Sequence, residues 1–185
     1  MARTAACTNR RQVRDVTRTR RPFPERTLHL IDIENLAGTG LPTAREVRDL
    51  RDAYASRVGI GPLDHVVIAC NHLAIKAAGY CWPDARYLVR SGPDGADLAL
   101  LDVIKHENVA GRFTSVAIAS GDHAFTMDTS LLGAAGCEVT VVARYGHLAK
   151  SLELAAGRRV VYIDSHDTVS AVLSVLPRAG SGECA

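Results

Sequence analysis

The sequence predicts an α/β chain in three layers, with helices on both faces of a mainly parallel sheet. Short, β-branched apolar runs alternate with segments of helical periodicity across residues 27–165. The strand runs are apolar at nearly every position, as expected when both faces are covered. Strands separated by helices in this rhythm pair in parallel through right-handed crossovers.

Pro22-Phe23-Pro24 ends an arginine-rich arm, residues 1–26, which is expected to be disordered. TLHLIDI (27–33) is the first strand, and Pro42 is expected to open a helix running through Arg57, with Val47, Leu50 and Tyr54 at helical spacing. DHVVIAC (64–70) is the second strand, with a short helix near 72–79, and ARYLVR (85–90) is the third. After the SGPDG loop a helix is expected from about Ala96 to Val109. TSVAIAS (114–120) is the fourth strand and Phe125 to Ala135 a helix. CEVTVVAR (137–144), a helix near 147–155 and RVVYID (159–164) complete the series. Residues 167–176 are expected to add a last helix to a domain spanning 27–176, before a flexible Gly/Ser-rich tail at 177–185.

The 185 residues suit one domain, and 47% hydrophobic with 23% charged residues is the composition of a water-soluble chain. No apolar run is long enough to span a bilayer, and MARTAACTNRRQVRD has no apolar stretch after its charges, so neither a membrane partner nor a secretory signal is expected. Nineteen arginines against three lysines, in an Ala-rich chain, fit GC-rich bacterial coding better than an organellar presequence. The five cysteines (Cys7, Cys70, Cys81, Cys137, Cys184) form no CxxC pair, so neither a zinc site nor a disulfide framework is indicated. A reducing cytoplasm is the expected location. Net charge is +2, yet the arm carries +6 and the remainder −4. A basic arm beside a mildly acidic body suits contact with a polyanion, with Arg18, Arg20 and Arg21 as candidate contacts. A solvated arm with no ligand explains the same charges.

Three aspartates sit at corresponding places in three units: Asp32 in LHLIDIEN, Asp97 in GPDGADLALLDVI and Asp122 in VAIASGDHAF. The carboxyl ends of strands form the binding crevice of an open α/β sheet. Acids gathered there suggest a hard-cation site of the kind that handles phosphate esters. Each has a plainer explanation: Asp32 and Asp122 can cap the following turn, and Asp97 suits the first turn of a helix. Asp102 lies about 140° around the helix from Asp97, so the two are not expected to share an ion. Glu34 shares a face with Asp32 if the strand continues, and Asn35 turns toward the site from the loop. Ser120, Asp128 and His123 are supporting candidates, and Arg90 and Arg144 stand at strand ends where phosphates would lie. No phosphate-binding GxxxxGK[ST] loop, HExxH pair or dinucleotide fingerprint is present.

LIDIENL resembles the opening D-x-x-N motif of NYN domains, a branch of the PIN-like nuclease superfamily. GPDGADLALLDVI is similar to that family's central Gly-x-Asp helix motif, and ASGDHAF to its S-G-D strand-end motif. The three occur in the family's order over roughly residues 27–165. The resemblance implies a PIN-like, Rossmann-like topology and a metal-dependent endoribonuclease. Asp32, Asp97 and Asp122 would hold Mg²⁺ or Mn²⁺, Asn35 would support them, and Ser120 would orient nearby oxygens. Many relatives read S-G-D-x-D-F, whereas here Ala124 replaces the second acid and His123 precedes it.

Water activated by the ion and attacking in line would leave a 5′-phosphate and a 3′-hydroxyl on RNA, or on DNA. Clustered carboxylates should have raised pKa values, so activity should rise with pH from the acidic side. Three other readings stand beside this one. Ala124 suggests a non-catalytic RNA-binding scaffold, and a strand-end Asp also serves small-molecule phosphohydrolases. A toxin or regulatory subunit controlled by a partner is the third, and a homodimer or a regulatory protein partner is compatible with any of them.

Overall fold

A computed structural model of the chain describes residues 25–163. The arm up to residue 24, including Arg18, Arg20 and Arg21, lies outside the described residues, as do the expected helix at 167–176 and the tail.

The described chain is α/β, with a six-stranded, all-parallel sheet flanked by helices in three layers. Its strands are β1 (Thr27–Asp32), β2 (His65–Cys70), β3 (Arg86–Val89), β4 (Ser115–Ala119), β5 (Glu138–Ala143) and β6 (Val160–Tyr162). The helices are α1 (Ile33–Ala37), α2 (Ala44–Arg57), α3 (Ile75–Cys81), α4 (Gly95–His106), α5 (Val109–Arg112), α6 (Thr126–Ala134) and α7 (Lys150–Ala156). A 3₁₀ turn, His123–Phe125, leads into α6.

The strand order is β3-β2-β1-β4-β5-β6. The chain winds outward from β1 to β3, then crosses back through α4 to start the other half at β4. The order therefore reverses between β1 and β4, the position at which doubly wound sheets open their crevice. Alternation along β1 divides the core. Leu28 and Leu30 join one cluster with Leu100, Val103, Phe125, Leu132 and Leu152 of the helices on that face. Ile31 joins a second with Leu36, Val47, Tyr54 and Trp82 on the other face.

Several boundaries differ from the sequence-based reading. The first strand stops at Asp32 because Ile33 already belongs to α1, a five-residue helix too short to show periodicity. Pro42 precedes α2 instead of opening it; Thr43 is the N-cap and forms a reciprocal capping box with Glu46. The long helix expected to reach Val109 ends at His106, and Asn108 in a left-handed conformation separates it from α5. The helix near 72–79 begins at Ile75, and the one near 147–155 begins at Lys150. Arg26 belongs to the body: its Nε–H donates to the Arg112 carbonyl at 3.0 Å and its guanidinium stacks 4.9 Å over Phe113. The arm thus joins the body at the start of β1, the pole opposite the carboxyl ends of the strands.

A candidate acidic crevice at the sheet switch point

Asp32 is the last residue of β1, and the ladder explains its place. Ile31 pairs with Ala119 of β4 and Asp32 with Ala69 of β2, so Asp32 stands beside the turn that begins at Ser120. Its Oδ1 caps α1, accepting from the Glu34 and Asn35 amides at 3.1 and 3.0 Å. Asp122 caps in the same way across the switch point, its Oδ1 accepting from the Ala124 amide at 2.7 Å. Capping thus accounts for Oδ1 of each carboxylate and leaves Oδ2 outside the cap.

Asp97 arrives in the first turn of α4, and the loop before it dictates that approach. Gly95 packs so tightly on Arg90 that a Cβ there would fall 2.4 Å from the Arg90 carbonyl oxygen. Only 8% of Asp97 is exposed, and 4% of Asp32. The two carboxyls hydrogen-bond to each other, and Asp97 Oδ1 is buried without a partner. Burial, then the charges of Asp32 and Asp122, push Asp97 up to about 7, so below neutral pH it holds its proton when no cation is bound. Burial also raises Asp32, against hydrogen bonds that lower it. The expected repulsion among the acids is present, but desolvation is the larger cause.

Asn35 ties the two halves of the crevice together, its Oδ1 accepting the Gly121 amide at 2.9 Å across 86 residues of sequence. Gly121 is required for a second reason: a Cβ there would fall 1.9 Å from the His147 carbonyl oxygen, while its own carbonyl accepts the Ala149 amide at 2.9 Å. Ser120 is fully buried and its Oγ accepts the Asp122 amide at 3.2 Å, so it shapes the turn that carries Asp122.

The other expected residues divide. Glu34 does not extend the strand face of Asp32, because α1 starts one residue earlier; its carboxylate accepts the Asn71 amide instead. His123 is 81% exposed and its Nδ1 lies 3.0 Å from Asp122 Oδ1. Asp128 is buried on α6, but the carboxylates that act on Asp97 are Asp32, Asp122 and Asp94. Arg90 pairs with Asp102 at 3.3 Å, farther along α4, rather than with the acidic cluster, and this agrees with Asp102 facing away from Asp97. Arg144, at the end of β5, lies against Gly38, where a Cβ would sit 2.0 Å from its Nη1. Its Nε is buried without a partner, a state that costs about 1–3 kcal/mol for a neutral donor and more for a charged one.

Asn71 and Asp94 are polar groups near these strand ends that no sequence motif singled out. Asn71 directly follows β2, as Ser120 follows β4; its Nδ2–H donates to the Gly40 carbonyl at 2.7 Å and its Oδ1 caps the turn into α3. Asp94 stands three residues before Asp97 with a left-handed backbone (φ 54°) at the N-cap of α4.

Among the described residues, no three His, Cys, Asp or Glu side chains are drawn together as a complete metal-binding group. The oxygen-only donor set still fits Mg²⁺ or Mn²⁺. Magnesium is usually held by one or two carboxylates plus water and substrate phosphate, and the Asp32–Asp97 pair with its unpartnered Oδ1 supplies that minimum. Among the described residues no helix is long and apolar enough to cross a membrane, and Cys70, Cys81 and Cys137 are buried thiols. No protein-family model matches the chain, and no curated protein does.

Proposed function

We propose that the chain is a metal-dependent nuclease of the NYN, PIN-like kind that hydrolyses RNA phosphodiester bonds in the cytoplasm. The observation that carries this reading is the Asp32–Asp97 carboxyl pair, buried at the switch point beside Asp122, with one Asp97 oxygen left without a partner. Asp32 and Asp97, with Asp122 from the other half of the sheet, would hold Mg²⁺ or Mn²⁺. The ion supplies Lewis-acid stabilisation of the phosphate and lowers the pKa of a water molecule.

The protein's own groups contribute the rest. Asp97, raised to about 7 in the empty site, would give up its proton on binding a cation, leaving two carboxylates to hold the ion. Asn35 and Ser120 fix the turn that carries Asp122, which keeps the acids of both sheet halves in register. Arg144, half-buried just after β5, brings a guanidinium to this end of the sheet, where its outer nitrogens would meet a phosphate. His123 and Asp94 border the acids on the outside and add polar groups where Ala124 contributes none. The arginine-rich arm adds salt-dependent affinity for the polyanion.

Ala124 is the one observation that favours a second reading, an RNA-binding protein without catalysis. Purified full-length protein incubated with labelled RNA and DNA in Mg²⁺, Mn²⁺ or EDTA, beside Asp122→Asn, separates the two. Cleavage of RNA that requires the metal and is lost in Asp122→Asn is expected. Cleavage that survives both EDTA and the substitution would overturn the metal–carboxylate mechanism, and tight RNA binding without any cleavage would favour the scaffold.

A further inference from the structure

Beside the acidic crevice the carboxyl ends of β5 and β6 bring together an arginine and two aromatic rings. Arg144 follows β5, Tyr145 is the next residue, and Tyr162 ends β6 in register with Ala143. The two tyrosine rings meet edge to face, with centroids 5.6 Å apart and planes at 69°. Tyr54 and Trp82 are core residues, whereas Tyr145 leaves 74% of its surface in water. Exposure alone decides nothing, since Tyr80 on α3 is as exposed. The juxtaposition decides it. An exposed ring braced by a second ring directly follows, in the chain, an arginine whose Nε is buried without a partner, on the loop whose His147 carbonyl packs against Gly121.

The guanidinium occupies the space left by Gly38, the residue that closes α1, and α1 begins at the Asp32 cap. Arg144 is therefore about two helical turns from Asp32, and Tyr162, on which the Tyr145 ring rests, belongs to β6 at the sheet edge. We propose that Arg144, Tyr145 and Tyr162 form a binding track for an unpaired nucleic-acid strand. Arg144 holds a backbone phosphate and Tyr145, braced by Tyr162, stacks on a base. The track rests on the nuclease reading only in assigning the strand's onward path to the acidic crevice. An unpaired strand is specified because a base inside a duplex has both faces covered by its neighbours, whereas a splayed base offers one to an aromatic ring.

Fluorescence anisotropy of the full-length protein in EDTA tests this with labelled oligouridylate, oligodeoxythymidylate and a fully paired RNA duplex of equal length. Raised salt reduces the sequence-blind share of the arm. Both single strands are expected to bind more tightly than the duplex. Tyr145→Ala should weaken single-strand binding by about 5- to 150-fold, while Tyr145→Phe, which keeps the ring, stays near wild type. Arg144→Gln should reduce the salt slope by roughly one. Because Tyr145 is exposed, the fold tolerates both changes, and an unaltered melting temperature checks it. Duplex binding as tight as single-strand binding, or an unchanged affinity in Tyr145→Ala, overturns the track. The two readings separate cleanly. Tyr145-dependent binding with no cleavage in Mn²⁺ keeps the track and rejects hydrolysis; cleavage indifferent to Tyr145 does the reverse.

Discussion

Replacing Asp97 by asparagine should stabilise the metal-free protein at alkaline pH and leave it nearly unchanged at acidic pH. In the folded chain Asp97 is raised from 3.8 to about 7, first by burial and then by Asp32 and Asp122. Each unit corresponds to about 1.4 kcal/mol, so the unscreened ceiling is about 4 kcal/mol. Water at the crevice mouth screens the charges, and about 1–3 kcal/mol is the working figure. The sign follows from proton linkage. The unfolded chain releases this proton near pH 4 and the folded chain holds it to about 7, so wild-type stability falls as pH rises across that window and levels off above it. Asparagine at 97 removes the slope. Urea unfolding in EDTA at about pH 4 and about pH 8 measures it, and by melting the gain at the higher pH is roughly 2–4 °C per kcal/mol for a chain of this size. A wild-type-to-variant difference that is the same at both pH values would refute a desolvated, proton-sharing acid pair at the switch point.

With limiting Mn²⁺, RNA cleavage should rise with pH through about 7, the value of Asp97 in the empty site, and the midpoint should move lower as Mn²⁺ is raised; a pH–rate series at several metal concentrations checks both. Asn35→Ala removes the acceptor of the Gly121 amide and should cost about 1–3 kcal/mol in urea unfolding, with a larger fractional loss of cleavage because Asp122 is displaced. Gly121→Ala drives a methyl into the His147 carbonyl and should destabilise by about 1–3 kcal/mol or more, read as a lowered melting temperature, whereas Gly133→Ala, with open space around its Cβ position, should not. Tyr54→Phe removes the hydroxyl bonded at 2.8 Å to the buried His29 Nδ1 and should cost about 1–3 kcal/mol with cleavage retained, since His29 is tied to Asp64, before β2, and not to the acids at the carboxyl ends of the strands.

The layers, the six strands and the three aspartates were legible because each is written locally. Apolar β-branched runs mark strands covered on both faces, and an acid ending such a run marks the crevice end. Strand order was not legible, because an apolar run records that its faces are buried but not which strand lies beside it. Asn35 illustrates the consequence: its position after Asp32 was visible, but its partner, the Gly121 amide, is 86 residues away and becomes adjacent only through the β1–β4 ladder. Arg90 and Arg144 looked alike as strand-end cations, yet one is paired with Asp102 and the other has a buried, unpartnered Nε. Helix α1 escaped because five residues carry no period, and its presence turned Glu34 from the strand face toward Asn71. The Tyr145–Tyr162 pair depends on the β5–β6 register, which spacing alone does not encode.

Whether Asp32 and Asp97 hold a divalent ion is tested by anomalous diffraction from a crystal of the protein soaked in Mn²⁺. A manganese peak is expected between the Asp32 and Asp97 carboxylates, on the side of Asp122, and absent from Asp97→Asn crystals treated alike. Manganese bound elsewhere while these carboxylates remain paired with each other would contradict it.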